Sequence, residues 1–158
     1  MPRRARPIIK VGVIADTHGL LRPQARAVLA SCDRIVHAGD IGDSEILTQL
    51  GELAPLSAIR GNVDTWATEL PDCQVLDIEG RRIYVLHDLK QLNLDPAAAG
   101  FDVVISGHSH QPRVANVDGV LYLNPGSAGP RRFRLPVVLA QLEISSARID
   151  ARIIQLAV

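Results

Sequence analysis

Four of the five histidines in this chain follow directly on short apolar runs, and each run reads as a β-strand. The first run, residues 8–15, is followed by Asp16-Thr17-His18-Gly19. In an extended chain, residues i and i+2 point to the same side. Asp16 and His18 can therefore converge on one point at the strand's carboxyl end, where ligands collect in open α/β sheets. Alone, the pair describes equally well a strand-end Asp that begins a turn with a His beside it.

The later strand ends change that balance. A run at 34–38 ends on Gly39-Asp40, and one at 56–59 is followed by Arg60-Gly61-Asn62-Val63-Asp64. A run at 82–86 ends on His87-Asp88, and one at 102–106 on Gly107-His108-Ser109-His110. A solvated surface His has no reason to fall repeatedly at such points. Glycines 39, 61 and 107 suit turns where the backbone bends sharply or approaches something closely.

The pattern between these ends predicts the fold. Residues 20–31 are rich in helix formers, with Pro23 tolerated in a first turn. Asp43-Ser44 opens a second helix over 45–53, with Ile46, Leu47 and Leu50 on one face. Strand, helix, strand, helix, strand argues a parallel sheet with crossover helices. The second half reads as hairpins: 74–78 with 82–86 across Glu79-Gly80-Arg81, 113–117 with 120–123 across Asp118-Gly119, and 137–144 with 148–156 across Ser145-Ser146-Ala147. A short helix is expected at 96–99. The sum is one mixed α/β domain, residues 1–158, with a parallel first half, a meander-like second half, and two sheets packed face to face with helices outside.

Composition removes several function classes. The net charge is zero, so there is no global basic field for nucleic acid. Apolar residues make up 47% of the chain, enough for an aliphatic core, but no stretch approaches the length of a membrane span. The basic start, residues 1–7, leads into no long apolar segment with a cleavage site. Cys32 and Cys73 are isolated and read as reduced thiols. These features set the expectation of a cytoplasmic protein without membrane contact; a homo-oligomer is left open.

Seven side chains stand out as ligands: Asp16, His18, Asp40, Asn62, His87, His108 and His110. They offer oxygen and imidazole nitrogen but no thiolate, a set suited to Mn, Fe, Ni, Zn or Co and poor for Ca or Mg. Seven exceeds what one tetrahedral ion uses and fits two divalent ions about 3.5–4 Å apart that share a carboxylate.

The order D-x-H, G-D, G-N-x-D, H, G-H-x-H resembles the calcineurin-like metallophosphoesterase superfamily. The G-N-x-D form, the short chain and the Asn124-Pro125-Gly126-Ser127 segment resemble its small phosphodiesterases of the YfcE type, and the same fold includes a retromer subunit. The resemblance runs from Lys10 to about Leu142. It implies a four-layer αββα sandwich, two mixed sheets flanked by helices. It also implies one metal held by Asp16, His18, Asp40 and His110, and a second by Asp40, Asn62, His87 and His108, with Asp40 bridging and manganese the leading candidate. Two divalent ions carry about +4 and only Asp16 and Asp40 among these seven are anionic, so the centre stays positive and draws in a small phosphoester. The implied reaction is in-line attack on a phosphodiester by a hydroxide between the ions, with Asp40, Asn62 and His108 as the catalytic set. A phosphomonoesterase or nuclease on the same site, and a non-catalytic protein-binding scaffold of the same fold, are the alternatives; the filled ligand positions weigh against the scaffold.

The chain departs from the family pattern at two places. Many members carry a proton-bearing His where Val63 stands, so the expectation is either a preference for esters with good leaving groups or protonation by water or another residue. Asp88 replaces a customary Gly and bears on substrate scope. Asp64 reads either as a support that orients Asn62 or an imidazole, or as a turn residue. His37 reads as a hydrogen-bonded support behind the site, Trp66 as core, and Arg131, Arg132 and Arg134 as a solvated charge cluster.

Overall fold

A computed structural model of the chain describes residues 7–132 and 134–158; most of the basic start and one residue of the arginine-rich stretch lie outside the described residues. Strand β1 (Ile9–Ile14) buries its last four residues and sits at the centre of a five-stranded sheet. To one side run β2 (Arg34–His37) and β3 (Leu56–Ala58), both parallel, with Gly12 opposite Ile35 and His37 opposite Ala58. To the other side lies β9 (Val138–Ile144), antiparallel to β1 with Val11 opposite Leu142, and beyond it β10 (Ile149–Gln155), antiparallel to β9.

The crossovers are helical. Helix α1 (Pro23–Leu29) starts at Pro23, three residues later than the helix-former pattern suggests, because proline's fixed φ suits the first helical position. Helix α2 (Ser44–Leu53) is capped by the Asp43 carboxylate, which accepts the Glu45 N–H at 2.9 Å, and it buries Ile46 and Leu50. Both helices cover one face of this sheet through Ile14, Leu29, Ile35, Leu50 and Leu139.

The second sheet has the order β4 (Cys73–Ile78), β5 (Arg81–Leu86), β6 (Val103–Ile105), β8 (Val120–Asn124), β7 (Arg113–Val117). It is not a meander: β5, β6 and β8 are mutually parallel, and β7 folds back to the edge. Every residue of β6 is buried, so this short strand needs a neighbour on each side. Turn chemistry fixes which strands form hairpins but not where each hairpin docks. The turns themselves are as read: Glu79-Gly80 and Asp118-Gly119 all have positive φ, as type I′ hairpins require.

The main core lies between the sheets, with Val11, Val13 and Leu142 from one meeting Ile83, Val103 and Leu123 from the other. The outer face of the second sheet buries Leu86, Val104 and Val120 beneath Leu89 and Leu92. That cover is a 3₁₀ turn, Leu89–Gln91, and loop. Residues 96–99, expected as a helix, form hydrogen-bonded turns in which the Ala99 N–H reaches the Asp95 carbonyl at 2.9 Å and the Phe101 N–H the Pro96 carbonyl at 2.9 Å. Gly100, at φ +81°, ends them before a helix can propagate. The molecule is an α/β sandwich of two mixed five-stranded sheets, with α-helices on one outer face and, among the described residues, a thinner layer on the other.

Candidate metal centre

The loops after β1, β2, β3, β5 and β6 meet at one end of the sandwich. Backbone hydrogen bonds lace the first two: the Asp16 N–H reaches the Gly39 carbonyl at 3.0 Å and the His18 N–H the Asp40 carbonyl at 2.9 Å. In the second sheet the Gly107 N–H reaches the His87 carbonyl (2.9 Å), and the His108 N–H joins the two sheets by reaching Asp16 Oδ2 (3.1 Å).

Two groups of ligand-bearing side chains result. Asp16, His18 and His110 form one, and Asp40, His87 and His108 the other; within each group the ligand atoms all lie within 4.8 Å of one another. Asp40 touches both, its Oδ2 standing 3.7 Å from His18 Nε2 and 3.1 Å from His87 Nε2. Asn62, on the loop after β3, lines a cleft of about 400 Å³ beside His87. The structure thus brings six of the seven expected ligands into two groups, with Asn62 on the adjoining wall.

The donor set fits divalent metal. Asp16 is fully buried, yet its Oδ1 has no hydrogen-bond partner; it faces His110 Nε2 at 3.6 Å and His18 and His87 Nε2 at 3.9 Å each. His87 Nε2 is likewise buried without a hydrogen bond, and so is His110 Nδ1. Buried polar atoms left unpaired cost free energy unless something else binds them. His18 and His110 bring their Nε2 atoms to 3.4 Å. Ligands around a tetrahedral ion with bonds of about 2.1 Å are separated by about this distance.

Protonation follows from the surroundings. Burial pushes Asp16 up to about 7, against the opposing pull of His87. Burial also opposes charge on Asp40, but His87, the Val63 N–H and His18 outweigh it and hold this carboxyl at about 2. Burial lowers His18, and it takes His110 down to about 4 with help from the charge of Arg132. Both imidazoles therefore offer free lone pairs at neutral pH. His87 is raised, because Asp40 and the Ala38 carbonyl, 2.7 Å from its Nδ1, outweigh its burial.

Backbone strain marks the same residues. Asp16, His18, Asp40, His108 and His110 all have φ between 46° and 71°, the left-handed region that side chains other than Gly rarely adopt. Gly61 is required for a different reason: a Cβ there would strike the Asp40 backbone and carboxylate.

The supports behind the ligands are now visible. Asp64 is buried, and among the described residues its hydrogen bonds go to backbone N–H groups. Its carboxylate accepts the N–H groups of Ile41 (3.0 Å), Gly42 (3.0 Å) and Gly61 (2.8 Å), tying the Asp40 loop to the Asn62 loop. His37 is fully buried. Its Nδ1 accepts the Gly39 N–H at 3.1 Å, and its Nε2 meets Thr17 Oγ1 at 3.0 Å. Because Thr17 already donates to the Ile41 carbonyl (2.8 Å), the His37 proton sits on Nε2, and burial holds the ring neutral down to about pH 4.

Sequence reasoning gave no role to Asn124 or Ser127, yet both act here. Asn124 Nδ2 donates to the Gly107 carbonyl (3.0 Å) and Ser109 Oγ (3.1 Å), and Ser127 Oγ donates to the Asp16 carbonyl (3.0 Å). Polar residues at the end of β8 and just beyond it were the available signal. Trp66, expected in the core, is 39% exposed. Arg132 is exposed, but its charge is felt at Asp16, His18 and His110.

Comparison with known proteins identifies the family. The model of the calcineurin-like phosphoesterase superfamily domain matches residues 9–147. A probable metallophosphoesterase of Methanothermobacter thermautotrophicus is 36% identical, over 92% of this chain and 91% of that protein. A phosphodiesterase of Methanocaldococcus jannaschii is 27% identical, over 75% of this chain and 83% of its own. Vps29 of Chaetomium thermophilum shares the fold, with a TM-score of 0.78 at 16% identity, covering 94% of this chain and 96% of that one. The chain belongs to the calcineurin-like phosphoesterase superfamily, whose members use divalent metals to hydrolyse phosphoric esters. Among the described residues no helix is long and apolar enough to cross a membrane.

Proposed function

We propose that the chain is a dinuclear metal-dependent phosphodiesterase acting on small phosphoesters in the cytoplasm, manganese being the preferred metal. One observation carries the reading: Asp40 stands between two groups of ligand-bearing side chains, four of the six buried, and buried polar atoms of Asp16, His87 and His110 have no hydrogen-bond partner. Asp16, His18, Asp40 and His110 would hold one ion, and Asp40, Asn62, His87 and His108 the other. When bound, such a pair supplies Lewis acidity and a nucleophilic hydroxide at neutral pH.

The chain's own residues do the rest. Asp40 stays ionised and shared, while His18 and His110 stay neutral and free to ligate. Asp64 and His37 hold the loops so that the ligands need not reorganise. Val63 presents its N–H to Asp40 Oδ1 at 3.1 Å and carries no side-chain proton. Diesters with good leaving groups are therefore the better substrates.

The test is elemental analysis of the purified protein with matched assays on a phosphodiester and a phosphomonoester, with and without manganese. The expected result is two equivalents of metal, faster diester cleavage, and loss of turnover in Asp40→Ala. Less than one equivalent of bindable metal, or unchanged turnover in that variant, would overturn the reading. Faster monoester cleavage would replace the diesterase assignment and leave the metal centre standing.

A further inference from the structure

Two clefts flank the His87–His108 pair, and they share no residue. The larger, about 750 Å³, runs from His108 along the outer face of the second sheet. The smaller, about 400 Å³, opens beside Asn62 and His87. The 3₁₀ turn Leu89–Gln91 is the partition: Asp88, Leu89 and Lys90 line the larger cleft, and Gln91 with Asn93 the smaller. The turn is held by the Asp88 carboxylate, whose Oδ1 accepts the Lys90 N–H at 3.1 Å.

The two clefts differ in chemistry. The larger has Tyr122, Leu89 and Pro112 as half-buried apolar walls, and Lys90 and Arg113 as exposed cations. Among the described residues, neither cation's side chain forms an ion pair or donates a hydrogen bond. The cleft's one carboxylate, Asp88, is engaged elsewhere: Oδ1 in its own turn, and Oδ2 facing His108 Nε2 at 3.9 Å. In the smaller cleft the cation is Arg60, already neutralised by Asp72 at 2.9 Å.

A phosphodiester has two arms, and this surface has two unlike receptacles beside one ligand pair. We propose that the larger cleft is the subsite for a planar arm bearing a second negative charge, with Lys90 and Arg113 binding that charge and Tyr122 the ring. The smaller cleft takes the other, uncharged arm. The assignment rests on the phosphodiesterase reading and names the substrate class within it: diesters that carry an anionic, flat substituent next to the scissile phosphate.

Hydrolysis-resistant phosphonates separate the two claims. Phenylphosphonate and 4-carboxyphenylphosphonate are titrated calorimetrically into the manganese-loaded protein, alongside assays on bis(4-nitrophenyl) phosphate and 4-nitrophenyl 4-carboxyphenyl phosphate. The carboxylate should tighten phosphonate binding about tenfold, as one charge-assisted contact does, and lower KM for the diester similarly. In the double variant Lys90→Gln/Arg113→Gln the ratio should fall to about one; both side chains are exposed, so the fold does not depend on them. No gain from the carboxylate, a gain that survives the double variant, or a gain lost instead in Arg60→Gln would overturn the assignment. If the diester without a carboxylate is cleaved while the carboxylate brings nothing, only the cleft assignment fails. If no phosphonate binds and no diester is cleaved, the phosphodiesterase reading fails with it.

Discussion

Asp40 Oδ2 stands 3.1 Å from His87 Nε2, yet that nitrogen has no hydrogen bond, while the other Asp40 oxygen accepts the Val63 N–H. On the proposed reading, a metal ion takes the place between these two atoms. Replacing Asp40 by Ala should remove metal from both sites and lower turnover about 100-fold or more. Replacing His87 by Ala should empty chiefly the site that it shares with His108. Metal content per chain, read by elemental analysis of each variant, distinguishes the two patterns.

Asp64 holds three backbone N–H groups with one carboxylate. Asp64→Ala strands those donors in a closed loop junction. A loss of about 3–5 kcal/mol is expected, seen in chemical denaturation of the metal-free protein. Metal affinity should weaken about 10–100-fold, because the Asp40 and Asn62 loops lose their tie. Asp64→Asn keeps one acceptor oxygen and should fall between wild type and Ala.

Metal uptake should expel protons. Asp16, at about 7, is partly protonated near neutrality and must ionise to ligate; His87, also raised, must be neutral. Affinity should therefore rise about tenfold per pH unit for each displaced proton, the Asp16 contribution flattening above about pH 7. Calorimetry in buffers of different ionisation enthalpy should find more protons released at pH 6 than at pH 8.5. The same shift has a sign for stability. With its folded pKa raised, Asp16 contributes stability that is full below about 3.8 and lost as pH rises through about 7. Metal-free Asp16→Asn should accordingly gain on wild type as pH rises from 5 to 8.

Val63 is 47% exposed at the rim of the centre. Val63→His would place a titratable proton where the chain has none. Turnover of diesters with alkyl leaving groups should rise relative to nitrophenyl esters by about 100-fold. Equal effects on both classes would show that the leaving group receives its proton from elsewhere.

The site was legible because its donors are placed by strand ends, and a strand end is a local event. The run into Asp16 and the run into Gly107 can each be read without knowing what lies across from them. The parallel pairing of β6 with β5 and β8 could not, since it is decided by which short strand must be buried on both sides. Residues 96–99 failed as a helix because helix formers cannot nucleate within one turn's length. Asp64, Asn124 and Ser127 were opaque for a related reason. Most of their work is done on backbone groups 17 to 111 positions away, which leave no trace in residue type.

Five of the ligand-bearing residues hold left-handed backbone, each at a cost of about 1 kcal/mol. Glycine would occupy the same conformation without that cost. A lineage that drifts away from chemistry can thus exchange Asp or His for Gly at these positions and be rewarded in folding. Selection for activity must act continually against that slope. The sandwich then remains available, sturdier than before, for duties that need only its surface.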